Sequence, residues 1–127
     1  MPKFIVKPDC GNSPRKKFLK DFYAALVSDD WEFIGPNISL HFTWTVAGRE
    51  IPIKADKFPS EHKKLGPSKA KEFRINTIIT HGPEAAVSGT LTPISGPPIS
   101  FCDLFTFKGA GGTLVESIFS FHVKTKK

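Results

Sequence analysis

The chain has 127 residues, a net charge of +6 and a hydrophobic share of 39%. That suffices for one domain with a real core and is too little for two, so residues 1–127 read as one domain, with 1–12 as an extended lead-in and 124–127 as a basic tail. No apolar run reaches the length of a membrane span. The start, Met1-Pro2-Lys3-Phe4-Ile5-Val6, lacks the apolar core of a secretory signal.

A cytoplasmic location without a membrane partner is therefore expected. Cys10 and Cys102 make no disulfide framework, and reduced thiols are the simpler reading. The basic residues are scattered over Arg15, Lys16, Lys17 and Lys20, then Lys63 and Lys64, then Lys124, Lys126 and Lys127. A nucleic-acid partner would call for them on one face among exposed aromatics. Here the aromatics fall on apolar faces, and twelve of them are Phe, which suits a bulky core or an apolar pocket.

Along the chain, Ser13 is a good helix N-cap and Pro14 suits the first helical position. Phe18, Leu19, Phe22, Tyr23 and Leu26 recur at helical spacing as one apolar stripe. A short second helix is expected over 30–34, stopped by Gly35-Pro36. Residues 38–46 alternate as a strand, with Ile38, Leu40, Phe42, Trp44 and Val46 on one face. A short strand at 50–54 and a third helix over 54–65, weakened by Pro59, follow.

The rest reads as strands. The first, 71–81, places Phe73, Ile75, Thr77, Ile79 and His81 together; segments 86–93, 99–108 and 114–123 follow across short turns. Short turns imply sequential antiparallel neighbours. Helices first and a meander afterwards predict an α+β fold.

The strand Phe101-Cys102-Asp103-Leu104-Phe105-Thr106-Phe107 holds the chemical anomaly. Alternation sets Asp103 in a row with Phe101, Phe105 and Phe107. A carboxyl there must be paired, protonated or wet. His81 and His122 show no metal-ligand spacing, so no metal and no cofactor are expected. The 109–112 glycine turn joins two strands and opens no helix, so it is a hairpin and not a phosphate loop.

Taken in order, Phe18-Leu19-Lys20-Asp21-Phe22-Tyr23-Ala24-Ala25-Leu26 with Ser28-Asp29-Asp30-Trp31, then Trp44-Thr45-Val46-Ala47-Gly48, then the Asp103 strand with Leu114-Val115-Glu116-Ser117-Ile118, resemble the nuclear transport factor 2-like superfamily. Within it the chain is most similar to SnoaL-like and ketosteroid isomerase-like bacterial proteins. The resemblance implies a curved antiparallel sheet wrapped around the N-terminal helices into a cone, the fold also called cystatin-like. It implies an apolar cavity at the cone's mouth and a homodimer through the opposite sheet face.

Asp103 matches the position of the isomerase-like oxyanion-hole acid, which an apolar site keeps protonated as a hydrogen-bond donor; that enzyme is a standard worked case. The matching position for the helical phenol donor is Phe22, and Tyr23 points roughly 100° round the helix. The stretch matching the family's base, His41-Phe42-Thr43-Trp44, holds no carboxylate, and His41 alternates away from Phe42 and Trp44. His62 is a further candidate base, set among the charged residues Glu61, Lys63 and Lys64.

The expectation is a cavity lined by Phe22, Leu26, Phe42, Trp44, Phe58, Phe105 and Phe119, with Asp103 as its main polar group. It would bind a small hydrophobic ligand. Catalysis, if present, would be isomerase- or lyase-type chemistry on a hydrophobic carbonyl compound with Asp103 as acid or donor. The alternative is a non-catalytic ligand-binding or dimerisation module of the same fold.

Overall fold

A computed structural model describes residues 2–8, 13–49, 51–109 and 111–124. Cys10 and the rest of the 9–12 turn lie outside the described residues, as does the end of the basic tail. In chain order the elements are β1 (Lys3–Val6), α1 (Pro14–Val27), α2 (Trp31–Ile34), β2 (Ile38–Val46), β3 (Ile53–Lys54), α3 (Phe58–Leu65), β4 (Glu72–His81), β5 (Glu84–Thr92), β6 (Ile99–Phe107) and β7 (Val115–Lys124). The seven strands form one sheet in the order β1-β4-β5-β6-β7-β2-β3.

The meander β4–β7 is antiparallel throughout. The sheet as a whole is mixed, because β1 adds parallel to β4 and β2 adds parallel to β7. The antiparallel expectation is corrected at these two pairings. Their cause is chain order: strands that precede the meander return to its two edges through helices, and such crossovers permit parallel pairing.

The helix signals act as read. Ser13 Oγ accepts from the Lys16 amide at 3.3 Å, and Pro14 opens α1. Asp30 Oδ1 caps α2 through the Phe33 amide at 3.3 Å. The third helix is shorter than expected and begins at Phe58. Residues 53–54 are instead held as β3 against Thr43 and Trp44. Pro59 falls in the first helical turn, where its missing N–H costs nothing.

Strict alternation fails twice, each time at an irregularity in a ladder. The β4–β5 register shifts between Ile75 and Thr77, which turns Ile78 inward and leaves Ile79 58% exposed. The β2–β7 register shifts between Ile38 and Thr43. Ser39 is therefore buried and Leu40 is 89% exposed, while Phe42, Trp44 and Val46 face inward as expected. An extra residue on one strand moves everything beyond it to the other face.

Opposite the β4 shift sits Gly89, paired with Ile75. A Cβ there would lie 1.9 Å from the Arg74 carbonyl oxygen, so only glycine permits this approach.

Helix α1 lies across one face of the sheet. Phe18 meets Phe107 edge-on at 5.9 Å and Phe22 meets Phe105 at 5.7 Å. Tyr23 stacks on Phe73 at 5.6 Å. Arg15 fastens the start of α1 to two turns, donating to the carbonyls of Gly82 and Gly112 with its guanidinium over the Phe107 ring. Phe22, Phe42, Phe58, Phe105 and Phe107 are fully buried, each contributing about 1.5–3 kcal/mol of apolar burial. No helix among the described residues is long and apolar enough to cross a membrane.

Candidate functional site

Packing α1 against β6 brings the chain's single tyrosine to its buried acid. The Tyr23 hydroxyl donates to Asp103 Oδ2. Asp103 is 9% exposed, and its other oxygen, Oδ1, has no hydrogen-bond partner. Across the ladder Asp103 faces Ser120 of β7. The Ser120 hydroxyl accepts from Trp44 Nε1 at 2.9 Å, which leaves its own proton free for the carboxyl side.

These four side chains form the deep end of a cavity of about 220 Å³. Its walls are apolar, built from Leu26, Phe73, Phe101, Leu91, Ile99 and Pro67. His62, His122 and Lys124 complete the lining. The volume exceeds the ~150 Å³ of an engineered apolar cavity that holds benzene.

Burial pushes the Asp103 carboxyl above the usual carboxylate range. The hydroxyls of Ser120 and Tyr23 and the nearby His122 favour the ionised form, and burial outweighs them. Burial likewise pushes the Tyr23 phenol well up, and the Asp103 carboxyl adds to it. Tyr23 therefore keeps its proton at neutral pH, and burial favours the neutral form of Asp103.

His62 sits among rings, 5.1 Å from Trp44, 5.3 Å from Phe58 and 6.2 Å from Trp31, centroid to centroid. Burial, and then His122, push it down to about 4, against the opposing pull of Asp29. His62 is thus neutral at pH 7 and able to accept a proton.

The expected lining is only partly what the fold assembles. Asp103, Leu26 and Trp44 line the cavity. Phe22, Phe42, Phe58 and Phe105 are core residues behind it, each at most 1% exposed. Phe105 lies one inward step beyond Asp103, where Phe22 covers it. Phe58 is enclosed by Phe42, Trp44 and Trp31. Phe119 is half-exposed on the opposite sheet face, because it neighbours the inward Ser120.

The phenol position is corrected from Phe22 to Tyr23. The α1 stripe is wide enough to bury both, with Phe22 toward Phe105 and Tyr23 toward Phe73 and Phe101. A lone tyrosine in an apolar stripe was the available signal, since a buried phenol requires a partner and Asp103 required a donor. His62, the candidate base set among charged neighbours, is partly buried and lines the cavity. His41 is exposed. Cys102 points away from Asp103 by alternation, with its thiol pushed up by burial first and then by the neighbouring Asp103 carboxyl, which suits no nucleophile. No group of three His, Cys, Asp or Glu side chains that could hold a metal occurs among the described residues.

No family model matches this chain, and no curated protein matches it. Solved structures do. One, provisionally named a ketosteroid isomerase, from Kribbella flavida, superposes with a TM-score of 0.72 at 13% identity, covering 87% of this chain and 78% of its own. A nuclear transport factor 2-like protein of unknown function from Burkholderia xenovorans gives 0.71 at 12%, covering 88% and 84%. A protein provisionally named a SnoaL-like polyketide cyclase, from Shewanella denitrificans, gives 0.69 at 11%, covering 87% and 92%. At such identities the likeness establishes the fold, and the chain has the nuclear transport factor 2-like, α+β fold. Fold alone does not assign chemistry.

Proposed function

We propose that this protein binds a small, largely apolar carbonyl or phenolic compound in the cavity, with the Tyr23–Asp103 pair as its hydrogen-bonding end, and acts on it by isomerase- or lyase-type proton transfer. One observation carries the reading. A buried acid, held by a phenol through one oxygen and without a hydrogen-bond partner at the other, lines an apolar cavity. A buried polar atom left unsatisfied costs about 1–3 kcal/mol, which a ligand oxygen recovers. That donor strengthens as charge develops on the ligand oxygen, as in an enolate. His62, neutral and on the same cavity wall, takes the proton from the carbon beside the carbonyl.

The test is calorimetric titration of phenols of graded acidity into wild type and Asp103→Leu, with deuterium exchange at the α-carbon of cyclic enones followed by NMR. Tighter binding of the more acidic phenols, lost in Asp103→Leu, supports the binding mode. Exchange that disappears in His62→Gln supports turnover. Binding without exchange leaves a non-catalytic ligand-binding module, and saturable binding by no compound overturns the reading.

A second copy of this chain is the proposed partner of the outer sheet face. Ile79, Leu104, Phe119 and Phe121 are all partly exposed there, and the two phenylalanines stack at 5.0 Å. A two-fold contact needs a self-complementary surface, and a flat apolar stripe ending in His81 and Glu84 meets that need. Light scattering reads the outcome: a dimer that Phe119→Ser and Phe121→Ser dissociate, against a monomer at all concentrations.

A further inference from the structure

Along β7, Ser120, His122 and Lys124 share one face, and all three line the cavity. Ser120 is buried beside Asp103, while His122 and Lys124 are exposed. The strand therefore runs from the hydrogen-bonding end of the cavity to its mouth. At about 3.4 Å per residue, His122 stands ~7 Å and Lys124 ~14 Å along it from Ser120. Phe101 and Ile99, the cross-strand partners of His122 and Lys124, supply apolar wall over the same distance. Among the described residues the one acid in the lining is Asp103, at the far end. Lys124 makes no ion pair among the described residues.

We infer that the ligand is an amphipathic anion: a rigid apolar body with a hydroxyl or carbonyl oxygen at the Asp103 end and a carboxylate at the other, held by Lys124 and His122. The inference rests on the binding mode proposed above and adds the charge and the span. A cation at an apolar mouth with no acid beside it attracts anions, and the lysine stem can cover the ligand's body while its head meets the carboxylate. A neutral compound would leave that end of the site unused. A compound with both oxygens close together would reach only one end.

The experiment compares 2-naphthol with 6-hydroxy-2-naphthoate, and 4-hydroxybenzoate with 3-(4-hydroxyphenyl)propanoate, by calorimetry at low and high salt. The carboxylate is expected to bind about five- to tenfold more tightly than 2-naphthol, with the advantage shrinking in salt. The longer hydroxyphenyl acid is expected to exceed the shorter. Lys124→Gln should collapse the naphthoate-to-naphthol ratio, and Lys17→Gln, a charge-matched change on the far surface of α1, should preserve it. If naphthol binds and the carboxylate confers nothing, the anionic-ligand inference falls and the binding mode stands. If an advantage persists in Lys124→Gln, the anion is held elsewhere and the inference is overturned. If neither naphthalene binds, both readings fall together.

Discussion

Tyr23 on the first helix donates its hydroxyl to Asp103 on the sixth strand, a partner 80 residues further along the chain. The bond closes at the junction of helix and sheet, and it leaves the other carboxyl oxygen buried without a hydrogen-bond partner beside the cavity. A stable fold has little use for a buried acid with one unpartnered oxygen, so the arrangement costs stability, a cost that the proposed ligand would offset.

Asp103→Asn should therefore stabilise the ligand-free protein at pH 7, by about 1 kcal/mol. The sign follows from linkage. A carboxyl raised in the folded state contributes stability below its unfolded value and loses it as pH rises toward the folded value. Removing the titration removes that loss. Urea unfolding of both proteins measures it, and an unchanged or lower midpoint would count against a strained acid.

Tyr23→Phe should act the other way, lowering stability by about 1 kcal/mol through the lost hydrogen bond. Asp103 then lacks its helical partner, and the affinity for phenols should fall with it. Denaturation and titration of the one variant read both effects.

Stability should decline on acidification because of His62. Its folded-state value is about 4, below the ordinary 6.5. The unfolded chain takes up a proton below pH 6.5 while the folded chain does not. Stability is thus complete above that value and falls until about pH 4, by roughly 1–3 kcal/mol for a partly buried ring. Asp103 opposes it over part of the range, so the comparison is between wild type and His62→Gln at pH 7.5 and 4.5. Equal pH dependence in the two would refute the assignment.

Gly89→Ala should destabilise the fold by more than about 2 kcal/mol, since its Cβ meets the backbone oxygen of Arg74 at 1.9 Å and the Phe101 ring at 2.8 Å. Phe101 is cavity wall, so any folded variant should also bind aromatic ligands less well. Thermal unfolding and the naphthol titration test the two parts.

Arg15→Ala should cost about 1–2 kcal/mol by releasing α1 from the Gly82 and Gly112 carbonyls and from the Phe107 face. The effect is on stability, measured by urea midpoint, and Arg15→Lys should restore little because one ammonium cannot span both carbonyls.

Local chemistry was legible in the chain. Ser13-Pro14 opens α1, Asp30 caps α2, and the alternation of Phe101, Asp103, Phe105 and Phe107 sets an acid in an apolar row. These depend on residues within a few positions of one another, and the order of elements along the chain carried the fold resemblance. What alternation could not locate were the shifts at Ile75–Thr77 and Ile38–Thr43, because an irregular ladder is decided by the neighbouring strand. It likewise could not separate wall from core. Phe22, Phe42, Phe58 and Phe105 are as apolar as Phe73 and Phe101, and only three-dimensional packing leaves the second pair beside an open space. The choice of Tyr23 over Phe22 and the place of His62 in the cavity lining were settled by how α1 and α3 pack against the sheet, and Ser120, His122 and Lys124 join that lining through the β6–β7 pairing. Periodicity along a chain fixes which side chains share a face; which faces meet is set by long-range packing.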